Sequence, residues 1–572
     1  MSSANGTAWV LQAALQGLSA PSGKDYIAAA RFSGPKPGYV FKTGEHGLGY
    51  YLDPHQADSQ HDGASGSAAG PSGSGGAGAG GSGGEGGHQQ QELDPEELLR
   101  QAEEEANIDQ IQVLDAKSLR RLVAGLDKKY KENMSLRLKY SEQPDRFLDS
   151  EVDLDEHIKS LMQVAGSPEL YPVLLEGGCL PTLLALLAHE NTDIAADVVE
   201  LLAELTGADA AEEYGPEARG LVEGLVEANA PELLVQRLLG FREEAAEEEA
   251  RAVHNCLAVV ENMVEIQPDL SSLFVERTRL LPWLLRRLKR RDFDTNKQYA
   301  SEILAILMQG SPSNQARLGA ENGIDLLLTC VAQYKSRDPA PGEEEEYMQN
   351  CFDVLCACLM QPAHKSAFVK SEGVELMQLM LQSRRQCRYG ALKCLDYAAT
   401  RFPPPAEKLV DLGGLKQLFG LFMGKAKVKG PMGEHDVDAE VEERCVSLLA
   451  SMLSQLPGGG GGGRGGSRRE RLLAKFVEAE WEKTDRLMEL MFRYQARVRA
   501  EEKRLAAALA EADEGEQVDE EELLLARMDA GLFTLQQCCL IFGNLWATGD
   551  VGLRRRLLGA LHQKGQTLGP VR

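Results

Sequence analysis

Cysteine, histidine and glycine are the residues that could carry catalysis or hold a metal here, and their spacing decides whether they do. The chain has eleven cysteines. The closest pairs are Cys356 with Cys358 and Cys538 with Cys539. Structural zinc takes four Cys or His ligands in a tetrahedron. Neither pair has partners at ligand spacing, and both fall in apolar runs such as Cys351-Phe352-Asp353-Val354-Leu355-Cys356-Ala357-Cys358. They read as buried, reduced thiols. Several of the ten histidines sit in polar stretches (His46, His55, His61, His88), and none anchors a nucleophile–base pair. Gly44, Gly47 and Gly49 form a crude glycine loop, but no strand is expected before it and no helix pattern follows, so a phosphate cradle is not expected. One Gly463-Arg464-Gly465-Gly466 copy is too little for an RNA-binding tract. The reading is a protein that is not an enzyme, with no metal and no cofactor.

Two constellations suit binding instead. Asn255 and Asn262 lie seven apart, on one face of a helix, and Glu200 and Glu204 lie four apart, with Glu302 in the next unit. Amides can clamp the backbone of an extended peptide, and carboxylates can pair with its Lys or Arg. The competing use of the asparagines is a bond to the neighbouring repeat. The second constellation is the basic run Arg286, Arg287, Lys289, Arg290 and Arg291, with Lys297 beyond it. It fits an import signal or a partner patch. The plainer reading is a solvated helix end, since Trp283, Leu284, Leu285 and Leu288 place the run in a packed helix.

The elements that must position these residues follow from a repeated phrase, a turn and then an apolar helix. It reads Glu176-Gly177-Gly178-Cys179-Leu180-Pro181 first, then Glu321-Asn322-Gly323-Ile324, Ser371-Glu372-Gly373-Val374 and Asp411-Leu412-Gly413-Gly414-Leu415, with weaker copies at Asn229 and Leu280. Anchors at Gly178, Asn229, Leu280, Gly323, Gly373 and Gly414 are spaced by 51, 51, 43, 50 and 41 residues, bracketing the roughly 40–47-residue period of armadillo and HEAT arrays. Each anchor helix is followed by a second, over 195–205, 252–265, 299–309, 347–360, 387–398 and 441–456. A helix pair cannot bury its apolar stripe alone, so stacking on neighbours stabilises the array. The expected fold is an all-α, armadillo/HEAT-type right-handed superhelical solenoid. Its repeats fill 166–456, after an N-terminal helical cap over 93–165 that opens at Asp94 and Pro95. A Gly-rich loop over 457–467 leads to a C-terminal helical region over 468–572.

Residues 1–92 differ. From Asp62 to Gly87 the chain is almost only Gly, Ser and Ala, a composition that cannot offset its ordering entropy, so a mostly disordered head with a flexible linker is expected. Within it, Tyr39–Tyr51 reads as a small hairpin or a recognition peptide. The formal charge is −26, which argues against direct nucleic-acid binding and suits a partner with basic segments. No apolar run is long enough for a membrane helix.

Several stretches resemble the β-catenin-like protein 1 family. They include Asp153-Leu154-Asp155-Glu156, His189-Glu190-Asn191-Thr192-Asp193-Ile194, and Val253-His254-Asn255-Cys256-Leu257 through Glu261-Asn262-Met263. Others are Phe293-Asp294-Thr295-Asn296-Lys297, Thr484-Asp485-Arg486-Leu487 and Met528-Asp529-Ala530-Gly531-Leu532-Phe533. They run in order over about 95 to 545. The resemblance implies a nuclear armadillo scaffold without catalytic activity. It also implies association with the spliceosome, through the NineTeen-type Prp complex and basic, localisation-signal-like segments of splicing factors. Self-association stays open. Two alternatives remain: an importin-α-type import adaptor, against which stands Trp283 as the lone tryptophan of the repeats, and an adhesion or signalling armadillo protein, whose groove would be basic.

Overall fold

The computed structural model describes residues 26–28, 39–44, 47–52 and 114–567, apart from 208–214, 427–436, 459–465 and 512–519. Two compact units divide the chain after Val113. In the first, strands β1 (Tyr26–Ala28), β2 (Tyr39–Gly44) and β3 (Gly47–Leu52) form an antiparallel sheet in the order β1-β3-β2. Tyr39 pairs with Leu52 and Gly44 with Gly47, while Tyr26 pairs with Tyr51. The Tyr39–Tyr51 segment is thus a hairpin with a third strand added. A strand does precede the glycines, contrary to the sequence reading, but a second strand follows them rather than the helix a phosphate loop needs. The Gly/Ser linker and the helix expected at Asp94–Pro95 lie outside the described residues.

The described residues of the second unit form helices and the turns between them. Two helices open it, α1 (Ala116–Lys139) and α2 (Leu148–Leu161), with Asp115 accepting from the Ser118 amide at 2.7 Å to cap the first. Six three-helix repeats follow. They are α3–α5 (Tyr171–Glu176, Cys179–Leu186, Thr192–Leu205), α6–α8 (Gly215–Glu227, Ala230–Leu238, Glu247–Ile266) and α9–α11 (Leu270–Arg277, Leu280–Leu288, Thr295–Met308). Next come α12–α14 (Pro312–Ala320, Gly323–Ala332, Glu343–Cys358), α15–α17 (Pro362–Lys370, Gly373–Gln382, Cys387–Ala399) and α18–α20 (Pro403–Asp411, Leu415–Phe422, Val437–Gln455). The C-terminal region holds α21 (Arg468–Val477), α22 (Glu482–Glu511), α23 (Glu520–Asp529), α24 (Leu532–Ala547) and α25 (Val551–Gln563). This is the armadillo-type solenoid the repeat phrase predicts, with one correction. Each repeat has three helices rather than two. The leading helix is mostly six to nine residues long, too short for an apolar period to show in the sequence.

The repeated turn has a physical basis. Gly178, Asn229, Asn322, Glu372 and Gly413 occupy the left-handed region with φ of 71°, 60°, 57°, 57° and 76°. That residue turns the chain from leading to second helix, a bend of 88° in the first repeat. Gly and Asn tolerate the conformation, whereas Glu372 carries about 1–2 kcal/mol of backbone strain. The residue after it packs tightly: a Cβ at Gly373 would sit 2.6 Å from the Phe368 ring. Pro312, Pro362 and Pro403 open the leading helices of the last three repeats, where a missing amide hydrogen costs nothing.

The third helices stack in sequence, α2 on α5, then α8, α11, α14, α17 and α20. The core runs along this stack, with Tyr171, Phe274, Tyr334, Phe352 and Phe422 among its largest buried side chains. Tyr171 satisfies its hydroxyl by donating to the Leu205 carbonyl at 2.8 Å.

Candidate peptide-binding groove

Polar side chains staple each third helix to the next. Asn262 of α8 donates to the Ala203 carbonyl and to Thr206 Oγ1, both at 3.2 Å, at the end of α5. Tyr299 of α11 donates to Glu261 of α8 at 2.5 Å, and Asn296 donates to the Ala250 carbonyl at 2.8 Å. Asn350 of α14 reaches Ser301 Oγ at 3.2 Å, Lys393 of α17 reaches Asp353 of α14 at 2.6 Å, and Arg444 of α20 reaches Asp396 of α17 at 3.3 Å. The series ends where Arg486, Arg493 and Tyr494 of α22 converge on the buried Glu442 of α20. Helices tied this way hold a fixed spacing, which is what an extended ligand needs from a groove.

At the N-terminal end the stack opens. A groove of about 410 Å³ lies over α2, α5 and α8, lined on one side by the exposed Leu148 and Val152. Asp155, Asp193, Asp197, Glu200 and Glu248 line it, against Lys159 and Arg251 as the cations. Glu151 also lines it, but its carboxylate is spent on Arg137 and on the Asn191 amide at 3.0 Å. Lys159 sits 2.8 Å from Asp155 and 3.5 Å from Asp197. Burial, reinforced by the neighbouring Asp155, pushes the Asp197 carboxyl up to about 7. Burial also opposes the charge on Asp155, but its hydrogen bonds with Asp197 and Lys159 outweigh that and hold it below the usual range. The hydrogen bond to Asp155 raises Lys159. Oδ2 of Asp197 is buried with no hydrogen-bond partner.

The sequence-predicted residues fall in different places. Glu200 and Asn255 meet in the groove, and among the described residues the Asn255 amide makes no hydrogen bond. The Asn262 amide goes to α5, as the competing reading has it. Glu204 is exposed and does not line the groove. Glu302 accepts from Gln298 at 3.0 Å, two repeats further on. Asp155, Lys159 and Asp197 were missed as site residues. Their signal was present: Asp155 and Lys159 are an i, i+4 pair, and Asp197, Glu200 and Glu204 form one acidic stripe at helical spacing.

The basic run ends α10. Arg287 is buried, with Nε 2.9 Å from Glu243 Oε2 and Nη2 paired to Glu243 and Asp294. Arg290 pairs with Glu243 and Glu244. Arg286, Lys289 and Arg291 are exposed. The acidic insert before α8 and the basic run therefore meet across a repeat boundary. The cysteines are free thiols, ten of them buried, and burial pushes Cys179 and Cys358 up to about 12. Among the described residues no three His, Cys, Asp or Glu side chains come together in a way that could hold a metal, and no single helix is long and apolar enough to cross a membrane.

Stacked three-helix repeats with a polar groove along the third helices define an armadillo scaffold that binds other proteins. The comparisons place it further. The family model described as "Catenin-beta-like, Arm-motif containing nuclear" matches residues 96–572. β-Catenin-like protein 1 of Mus musculus is 39% identical over 466 residues, covering 80% of this chain and 81% of its own. The Homo sapiens protein gives the same values, and the Schizosaccharomyces pombe homologue is 34% identical over 442 residues, covering 76% and 74%. A designed armadillo repeat protein is also similar, at 15% identity and a TM-score of 0.35 over 48% of this chain and 98% of its own. The chain belongs to the catenin-beta-like family. The match runs to residue 572, past Leu545, where the sequence reading ended the resemblance.

Proposed function

We propose that this chain is a non-enzymatic nuclear scaffold that holds basic segments of splicing factors in the groove over α2, α5 and α8, as a component of or accessory to the spliceosome. The observation that carries the basic-segment reading is Asp197. Its carboxylate is driven toward the neutral form by burial beside Asp155, and one oxygen lacks a hydrogen-bond partner. A guest ammonium or guanidinium would supply the missing donor and add to the positive charge that Lys159 already brings within 3.5 Å of that oxygen. Asn255 offers an unengaged amide to the guest backbone, and Leu148 and Val152 offer apolar surface for the stem of a Lys or Arg. The nuclear and splicing assignments rest on kinship: the family's printed description includes "nuclear", and the sequence resemblance implies partners in the NineTeen-type Prp complex.

The test is affinity capture of the tagged full chain from nuclear extract, followed by mass spectrometry. Splicing factors should dominate, and should still be captured when residues 1–92 are removed. Capture of importins or junction proteins in their place would leave the fold assignment standing and sink the splicing role.

A further inference from the structure

A second site stands apart from the groove and shares none of its residues. A pocket of about 580 Å³ opens between the loop over 239–245 and α10, with Phe241 and Trp283 as its aromatic walls. Arg242, Arg286, Arg287 and Arg290 line it, while its only carboxylates are Glu243 and Glu244. Those two are already used. Glu243 is gripped by Arg287 and Arg290, and Glu244 by Arg290. Arg242 and Arg286 are exposed and form no ion pair among the described residues. Arg287 has only 3% of its side chain exposed, yet its Nη1 has no hydrogen-bond partner. A buried guanidinium nitrogen without an acceptor is costly unless a ligand completes it. In a chain of formal charge −26, this is a local cationic pocket with an aromatic wall.

We propose that this pocket binds an acidic segment of a partner protein, with an Asp or Glu carboxylate facing Arg242, Arg286 and Arg287 and a neighbouring apolar residue against Trp283. Three observations favour a carboxylate on a peptide over other anions. A dianionic phosphate would meet Glu243 and Glu244 with about twice the charge of a carboxylate, so the residual repulsion from that ion-paired couple falls harder on it. The chain's formal charge of −26 opposes a polyanionic nucleic-acid backbone more than a segment carrying one or two carboxylates. The aromatic wall suits a side chain next to the charge. The two sites then take opposite charges, so the scaffold holds a basic segment and an acidic one at once.

The test uses the full chain and a labelled peptide of Asp and Glu residues flanking one Phe, read by fluorescence anisotropy. A version with phosphoserine in place of the acidic residues and a single-stranded RNA serve as rival probes. Because Arg242 and Arg286 are exposed, Arg242→Glu and Arg286→Glu leave folding intact. Each reversal removes a cation and sets an anion against the guest carboxylate, so each should weaken the acidic peptide by about tenfold or more. Lys289→Glu, in the same basic run but outside the pocket, should change affinity by less than about twofold. Equal losses for Lys289→Glu and Arg286→Glu would reduce the site to a diffuse field and overturn the proposal. Absence of acidic-peptide binding, or tighter binding of the phosphopeptide or the RNA, would also overturn it.

Discussion

Asn255 and Asn262 lie on one helix, seven residues apart, and replacing each with Ala should have opposite consequences. The Asn262 amide makes two hydrogen bonds to the end of α5, at 3.2 Å each. Removing it fully strands neither acceptor, because Thr206 Oγ1 still donates to the Leu202 carbonyl at 2.8 Å and lies 3.4 Å from the Ala203 carbonyl. The loss is therefore the net worth of two neutral bonds, about 1–2 kcal/mol, without an added desolvation penalty. The Asn255 amide has no partner to lose, so its removal should change stability by less than about 0.5 kcal/mol. If Asn255 clamps a guest backbone, the same change should weaken a bound basic peptide by about three- to tenfold. Urea denaturation and hydrogen exchange across α5 and α8 read the first effect, and titration with a Lys/Arg-rich peptide reads the second. Comparable destabilisation by the two variants would refute the division of labour. So would a loss of binding in Asn262→Ala with stability unchanged.

Three further outcomes follow from the same geometry. Glu372 holds φ 57°, so Glu372→Gly should raise stability by up to about 1 kcal/mol, while Gly373→Val, forced against Phe368, should lower it by more than about 2 kcal/mol; paired thermal melts decide both. Glu442→Ala leaves Arg486, Arg493 and Tyr494 without their common acceptor, and should cost about 2–3 kcal/mol once the exposure of Arg493 is discounted, with exchange rising first in α22. The Asp197 carboxyl, near 7 when folded against an ordinary 3.8, keeps a proton that the unfolded chain gives up. Its contribution to stability is therefore present at low pH and is lost as pH rises from about 4 through about 7. Asp155 and Lys159 from α2, Glu200 from α5, and Glu248 and Arg251 from α8 line the groove with it, and a guest cation favours its ionised form. Basic-peptide affinity should accordingly rise between about pH 6 and 8 with release of a proton, measured by calorimetry in buffers of different ionisation enthalpy.

The array was legible because its signal is repeated. Each anchor phrase marks a left-handed turn followed by an apolar helix, so Gly178, Asn322 and Gly413 announce the same bend in different words. The leading helices were not legible. Most are shorter than three full apolar periods, and their boundaries are set by packing on the repeat before. The groove was half legible. Glu200 and Asn255 stand out as polar residues on third helices, but nothing in the sequence separates Asn255 from Asn262, since only the neighbouring repeat decides which amide is consumed. Asp155 and Asp197 come together from two helices, a pairing no local spacing encodes. Arg287 shows the same limit from the other side. It reads as one cation among several, yet the fold buries it between Glu243 and Asp294.

The most direct test of the groove is a calorimetric titration of the full chain with a Lys/Arg-rich peptide, comparing the wild type with the double variant Asp155→Asn, Asp197→Asn. Both substitutions keep side-chain volume and lie in the groove, away from the Arg242–Arg286 pocket. A groove that recognises cations should lose about tenfold or more in affinity, with a shallower salt dependence. Unchanged affinity and salt slope would contradict the groove as the binding site.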